Sequence, residues 1–170
     1  MNKLLKYKKR NEGVTHVFVN KNSTTFLGQL LNMEFPCTLD TEYGKVLSIY
    51  NYSMLIKIKP EFHKQLNVAN ATSRELKESI SKLKEEGLTK QDIFIDFEDT
   101  SELADKIKEV VLQRIKKDDT TLGMFMKNNL PFVCFRKRGA DGFKILNPMY
   151  TGILNHIRNN KKLYFSEGEE

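Results

Sequence analysis

Apolar residues recur at three- and four-residue steps in several segments of this chain, and those steps predict its helices. Across residues 101–117, Leu103, Ile107, Val110, Val111 and Ile115 share one face, the stripe of an amphipathic helix, with Ser101 as its expected cap. Leu76, Ile80 and Leu83 form a second stripe within 73–86. Thr72 and Glu75 make a capping-box pattern in front of it, and Gly87 suits the left-handed position behind it. Ser48 is the expected N-cap of a helix over 48–58, which has to stop or kink before Pro60. Pro60 in turn suits the first position of a short helix reaching Leu66. Residues 119–129 predict a helix broken near Asn128, and 148–160 a final helix.

Period-two alternation is rarer. VTHVFVN (14–20) and PFVCFR (131–136) read as strands, and FPCTLDTEYGKVLS as two short extended pieces around a turn at 40–44. IFIDF (93–97) reads as a short strand or a buried turn. KNSTTFLGQLLN and KRGADGFKILNP read as loops, each with glycine. The expected class is α+β, a helix-rich single domain with a few short strands. It would span 13–165, between a basic flexible tail (1–12) and an acidic disordered tail (166–170).

Composition narrows the function classes. The chain has 170 residues and a formal net charge of +6, with a pI near 9.2. The excess sits at Lys3–Arg10, Arg136–Arg138 and Arg158–Lys162. Such a balance points to phosphate, carried by a nucleotide or by nucleic acid, or else to an acidic protein partner. The abundance of lysine and asparagine fits a small phage-like accessory protein. No aromatic–basic signature of sequence-specific RNA binding is present. The longest uncharged stretch, Val46–Ile56, is too short to span a bilayer. The basic N-terminus lacks the apolar core of a secretory signal, so a cytoplasmic protein is expected. Cys37 and Cys134 lie among Phe35, Phe132 and Phe135, which favours buried thiols over a disulfide. His16, His63 and His156 are far apart, so neither a metal nor another cofactor is expected.

Three stretches carry candidate chemistry. In RKRGADGF the glycines allow close backbone approach, Arg136, Lys137 and Arg138 suit phosphate, and Asp141 suits a base or a ribose contact. The competing reading is a surface turn in which Asp141 accepts from its own backbone. In GQLLNMEFP, Asn32 and Glu34 stand between apolar residues, fixing backbone or gripping a ligand. In the 48–58 helix, Tyr50, Met54 and Lys57 fall on one face by the i, i+4, i+7 rule, with Tyr52 and Asn51 beside them. A lysine sheltered there would have a depressed pKa and act as nucleophile or base, unless it snorkels to solvent.

Taken in order, LLNMEFP (30–36), IYNYSMLIK (49–57), GADGF (139–143) and NPMYTGILNHIR (147–158) resemble the NADAR (YbiA-like) family over most of the chain. The first is similar to that family's LSNF…P loop, with Asn32 at its Asn. The second lies on its sEHyfQaqK helix, with Tyr52 and Lys57 at its Tyr and Lys. Asp141 matches the Asp of its late loop. The family's glutamate falls on Tyr50, its glutamine on Met54, and its tryptophan has no counterpart in this chain, which has no Trp. The resemblance implies a site for an ADP-ribose-like or ribosyl-nucleotide ligand and cleavage of an N-glycosidic bond. Lys57 and Asp141 would be catalytic, and Asn32, Glu34, Tyr50, Tyr52, Arg136 and Arg138 would bind the ligand. The missing glutamate puts catalysis in doubt unless Glu34 or Glu42 takes its place. The alternative is a non-catalytic basic protein that binds nucleic acid or an acidic partner.

Overall fold

Side-chain caps set most of the helix boundaries. In the computed structural model, which describes residues 11–138, 142–145 and 147–166, the Thr25, Ser48, Thr72, Thr89 and Asp118 side chains each accept from a backbone N–H three residues on. The helices, in chain order, are α1 (Phe26–Leu30), α2 (Ile49–Lys57), α3 (Ser73–Glu85), α4 (Lys90–Ile93), α5 (Ser101–Lys116), α6 (Asp119–Lys127), α7 (Pro148–Asn159) and α8 (Lys161–Phe165), the caps opening α1, α2, α3, α4 and α6. The strands are β1 (Val17–Phe18), β2 (Leu39–Thr41), β3 (Gly44–Val46), β4 (Phe132–Val133), β5 (Phe135–Arg138) and β6 (Gly142–Ile145). They pair as three two-stranded sheets among the described residues: β1 with β4 in parallel, and β2–β3 and β5–β6 as antiparallel hairpins. The class is α+β and rich in helix. Among the described residues no helix is long and apolar enough to cross a membrane.

The backbone divides into two compact units. The first is built from residues 1–32 and 111–170, the second from 33–110. In the first, Val17, Phe18, Leu27, Leu31, Val111, Ile115, Phe125, Phe132, Leu154 and Ile157 are buried, and the Phe125 and Phe132 rings stack with centroids 5.6 Å apart. In the second, Leu39, Val46, Ile49, Leu55, Ile58, Val68, Leu76, Ile93, Leu103 and Ile107 form the interior. A fully buried side chain of this size is worth about 2 kcal/mol of transfer free energy. Strands of two to four residues supply few ladder bonds, so apolar burial holds each unit together more than sheet pairing does.

Several expectations need correcting. The predicted strand at 14–20 shrinks to Val17–Phe18, because 13–15 turn and Val14 is exposed. Residues 21–32 are not a loop: Thr25 caps α1, and Gly28 lies inside that helix. A Cβ on Gly28 would stand 2.0 Å from the Phe18 carbonyl oxygen and 2.3 Å from Ser23 Oγ, so glycine is there for close packing. Part of 137–148 is a hairpin rather than a loop. Residues 90–93 form a helical turn, which leaves Phe94 an isolated bridge to Ile58. Pro60 opens a 3-10 turn of three residues, shorter than the helix expected there. Ser101 is the first residue of α5 rather than its cap, and the Asp99 carboxylate accepts from both its N–H and its hydroxyl. The capping box at Thr72–Glu75, Gly87 at φ +104° and the close of α6 at Asn128 stand as expected. Both cysteines are free; Cys134 is buried and Cys37 half-buried. Of the expected tails at 1–12 and 166–170, residues 1–10 and 167–170 lie outside the described residues, and Glu12 belongs to the fold, its carboxylate accepting from the Phe18 and Thr24 N–H groups.

Candidate functional site

The second unit concentrates the candidate side chains on α2. Its polar residues divide by face. Ser48 Oγ donates to Asn51 Oδ1 at 2.6 Å, and Asn51 Nδ2 donates to the Val68 and Ala71 carbonyls at 2.8 and 2.7 Å. Ser53 Oγ donates to the Tyr50 carbonyl. These three residues are buried and spend their polar atoms on the chain itself. Asn51 thereby holds the 66–71 turn, where Asn67 adopts a left-handed conformation at φ +48°.

The other face is different. Every residue of α2 is buried except Tyr50, Met54 and Lys57, which are half-buried and spaced i, i+4, i+7 along one stripe. The Tyr50 N–H donates to the Met33 carbonyl at 2.9 Å. That bond sets the 33–37 segment beside the start of α2 and brings Glu34, one residue on, to Tyr50. Burial, then the nearby Glu34 charge, raises the pKa of the Tyr50 hydroxyl, which therefore stays protonated. At the far end of the stripe, burial alone lowers the pKa of Lys57. Among the described residues no ion pair or hydrogen bond holds its ammonium. Glu34 thus attends the Tyr50 end of the stripe, and the Lys57 amine, without a counter-charge among the described residues, stands at the other.

Three searches, against family models, curated proteins and solved structures, returned no match for this chain.

Tyr52 departs from the Lys57 stripe. Its ring is buried, and its hydroxyl donates to the Glu42 carboxylate at 3.1 and 3.2 Å. Burial first, then Glu42, pushes its pKa far up. Lys106 Nζ lies 3.9 Å from Glu42 and 3.7 Å from Glu102. Glu42 and Tyr43 form the tip of the β2–β3 hairpin, whose Gly44 takes φ +86°. The Tyr43 ring lies 5.7 Å from His63, edge to face, and His63 Nε2 donates to the Ile58 carbonyl at 2.7 Å. His63 and Lys106 were not legible as members of a cluster. The one usable signal was the glycine after Glu42-Tyr43, which marks a tight hairpin aimed back at its neighbours.

The remaining candidates lie elsewhere. Asn32 belongs to the first unit, where its N–H donates to the Gln29 carbonyl just past the end of α1. Arg136 and Arg138 are placed by their backbone in β5, and Asp141 lies outside the described residues. Among the described residues no group of three His, Cys, Asp or Glu side chains is arranged to hold a metal ion.

Proposed function

We propose that the second unit binds a ribosyl-nucleotide or ADP-ribose-like ligand along the half-buried stripe of α2 and cleaves its N-glycosidic bond, in the cytoplasm. The observation that supports this is the Lys57 amine, sheltered and without a counter-charge, on the stripe that begins with Tyr50 and its neighbour Glu34. A lysine of lowered pKa has a larger neutral fraction near pH 7, and the neutral amine is the nucleophile.

In this reading Lys57 Nζ attacks the anomeric carbon. The C–N bond to the base breaks, and its electron pair goes to the leaving nitrogen, which takes up a proton from solvent. The substituted amine sheds one proton and expels the ring oxygen, which takes up that proton as it leaves the anomeric carbon; water then hydrolyses the resulting protonated imine to free the sugar and restore the lysine. The Glu34 carboxylate, held at the Tyr50 end of the stripe, would have to reach the oxocarbenium-like charge of the first step with the ligand bound. Glu34 suits this role better than Glu42, because Glu42 attends Tyr52, which sits about half a helical turn away from Tyr50 on α2.

The test is incubation with ADP-ribosylated guanosine in the presence of cyanoborohydride. Turnover, with a reduced sugar adduct on the peptide containing Lys57 and loss of both in Lys57→Arg, is the expected result. A protein that shows no turnover and no binding of this compound would overturn the proposal.

A further inference from the structure

Charge is divided unevenly between the two units. Residues 1–32 and 111–170 hold 17 Lys and Arg against 7 Asp and Glu, a net of +10; residues 33–110 hold 11 against 15, a net of −4. The overall +6 therefore hides a strongly basic unit joined in sequence to an acidic one. We infer that the basic unit binds nucleic acid through the phosphate backbone, without reading its sequence. This inference is independent of the ligand proposed for the second unit.

The imbalance does not come from the tails alone. Among the described residues of the basic unit, twelve are Lys or Arg and three are Asp or Glu. Two of those three acids already have partners in the chain. The Glu12 carboxylate accepts from the Phe18 and Thr24 N–H groups and from the Ser23, Thr24 and Thr25 hydroxyls. Asp118 caps α6 through the Thr121 N–H and pairs with Arg114 at 3.0 Å. Asp118 and Asp119 are the exposed carboxylates among the three, the first already paired with Arg114, against the exposed Lys21, Lys116, Lys117, Lys127 and Lys162.

The β5–β6 hairpin makes the same point from its backbone. Its register sets Arg136 directly opposite Lys144, and neither strand contains an acidic residue. Like charges facing each other across an antiparallel pair are destabilising. A bound polyanion turns that repulsion into attraction and releases the counterions that otherwise screen it. The choice of nucleic acid over an acidic protein follows from residue type. Among the described residues of this unit outside the hairpin, the exposed cations are lysines, which are depleted in protein–protein interfaces and act on phosphate as point charges.

The test uses a fluorescently labelled duplex and anisotropy titrations of the full chain across a salt series. For about four phosphates contacted, affinity falls about a hundredfold between 50 and 200 mM salt, from a slope of about −0.9 per phosphate. The triple reversal Lys117→Glu, Lys127→Glu, Lys162→Glu is expected to weaken binding at least tenfold at 100 mM salt. Reversing the exposed Lys64, Lys77 and Lys82 of the acidic unit changes net charge by the same amount and is expected to change affinity less than twofold. No binding at 50 mM salt, an affinity indifferent to salt, equal losses in the two triple variants, or equal affinity for a polyglutamate peptide would each overturn the inference. Circular dichroism of both triple variants confirms that folded proteins are being compared.

Discussion

The Tyr150 hydroxyl on α7 donates to the Leu31 carbonyl at 2.5 Å, joining positions 119 residues apart. One residue earlier, Arg114 Nε on α5 donates to the Leu30 carbonyl at 3.3 Å. The last carbonyls of α1, which a helix leaves unpartnered, are thus satisfied by two buried side chains from distant helices. Both anchors lie immediately before Asn32, so they fix where the chain leaves the first unit. Tyr150→Phe keeps the ring and removes the donor, orphaning a buried carbonyl at a cost of about 1–2 kcal/mol. Arg114→Met also releases Asp118 and Thr121 and should cost about 2–3 kcal/mol. Urea denaturation of the two variants checks both values, and Arg114→Met should prove the more damaging.

Glu12 gives the first unit a pH dependence. Burial would raise its pKa, but the hydrogen bonds from Ser23, Thr24 and Phe18 outweigh burial and hold it below the ordinary 4.5. A carboxylate depressed on folding contributes stability above its unfolded value and loses it as pH falls through the folded value. Glu12→Gln is therefore expected to lower stability by about 1–2 kcal/mol at pH 7. The gap between wild type and variant should close progressively below pH 4.5, as wild-type Glu12 protonates. Melting temperatures of both proteins from pH 7 to pH 2.5 test the sign; a gap that widens on acidification refutes the account.

Lys57 behaves in the opposite sense. Burial lowers its pKa, so the charged form is costly in the folded protein, and that cost fades as pH rises toward the unfolded lysine value. Lys57→Met should be more stable than wild type at pH 7, with the advantage shrinking as pH rises and vanishing above the unfolded lysine value of about 10.4. Titration of methyl-labelled lysines by NMR should find the Lys57 midpoint below the ordinary lysine value, as that of Lys161 also is, and the Lys57 midpoint alone absent in the variant. If every lysine titrates together, the sheltered-amine reading fails.

Asn51 is the keystone of the 66–71 turn. Asn51→Leu preserves bulk but leaves the Val68 and Ala71 carbonyls without their donor. A loss of about 3 kcal/mol is expected, with faster limited proteolysis between Leu66 and Thr72. Proteolysis unchanged from wild type would show that the turn is held some other way.

Gly28→Ala tests close packing in α1. Alanine is the better helix former by about 1 kcal/mol. Yet its Cβ would meet the Phe18 carbonyl at 2.0 Å, and that backbone belongs to β1 and has little room to move. The clash should win, with a net loss of about 2–3 kcal/mol by thermal denaturation.

What could be read in the sequence was whatever depends on neighbours. Ser48, Thr72 and Gly87 act within a few residues of themselves, so the boundaries of α2 and α3 were legible. Where distant residues decide, local pattern misleads. The VTHVFVN alternation promised a long strand, but its β4 partner offers only Phe132–Val133. On the far side of β4, Asn155 pairs with the N–H and carbonyl of Phe132 at 2.9 and 2.8 Å, standing where another strand would be. No local rule foretells that. On α2, the helical period did separate the Tyr50–Met54–Lys57 stripe from its buried neighbours. The attachment of Tyr52 to Glu42 escaped it, because hairpin geometry sets that contact rather than helical spacing.

A nascent chain meets the two units in a fixed order. Everything the 33–110 unit needs has left the ribosome once Val110 emerges, so that unit is free to close early. The first 32 residues must wait: Val17 and Phe18 have no strand to pair with until Phe132 follows, and Leu31 has no hydroxyl until Tyr150 is made. Through that interval the apolar β1 segment stays uncovered, and the growing polypeptide is then most open to chaperones and to misassembly.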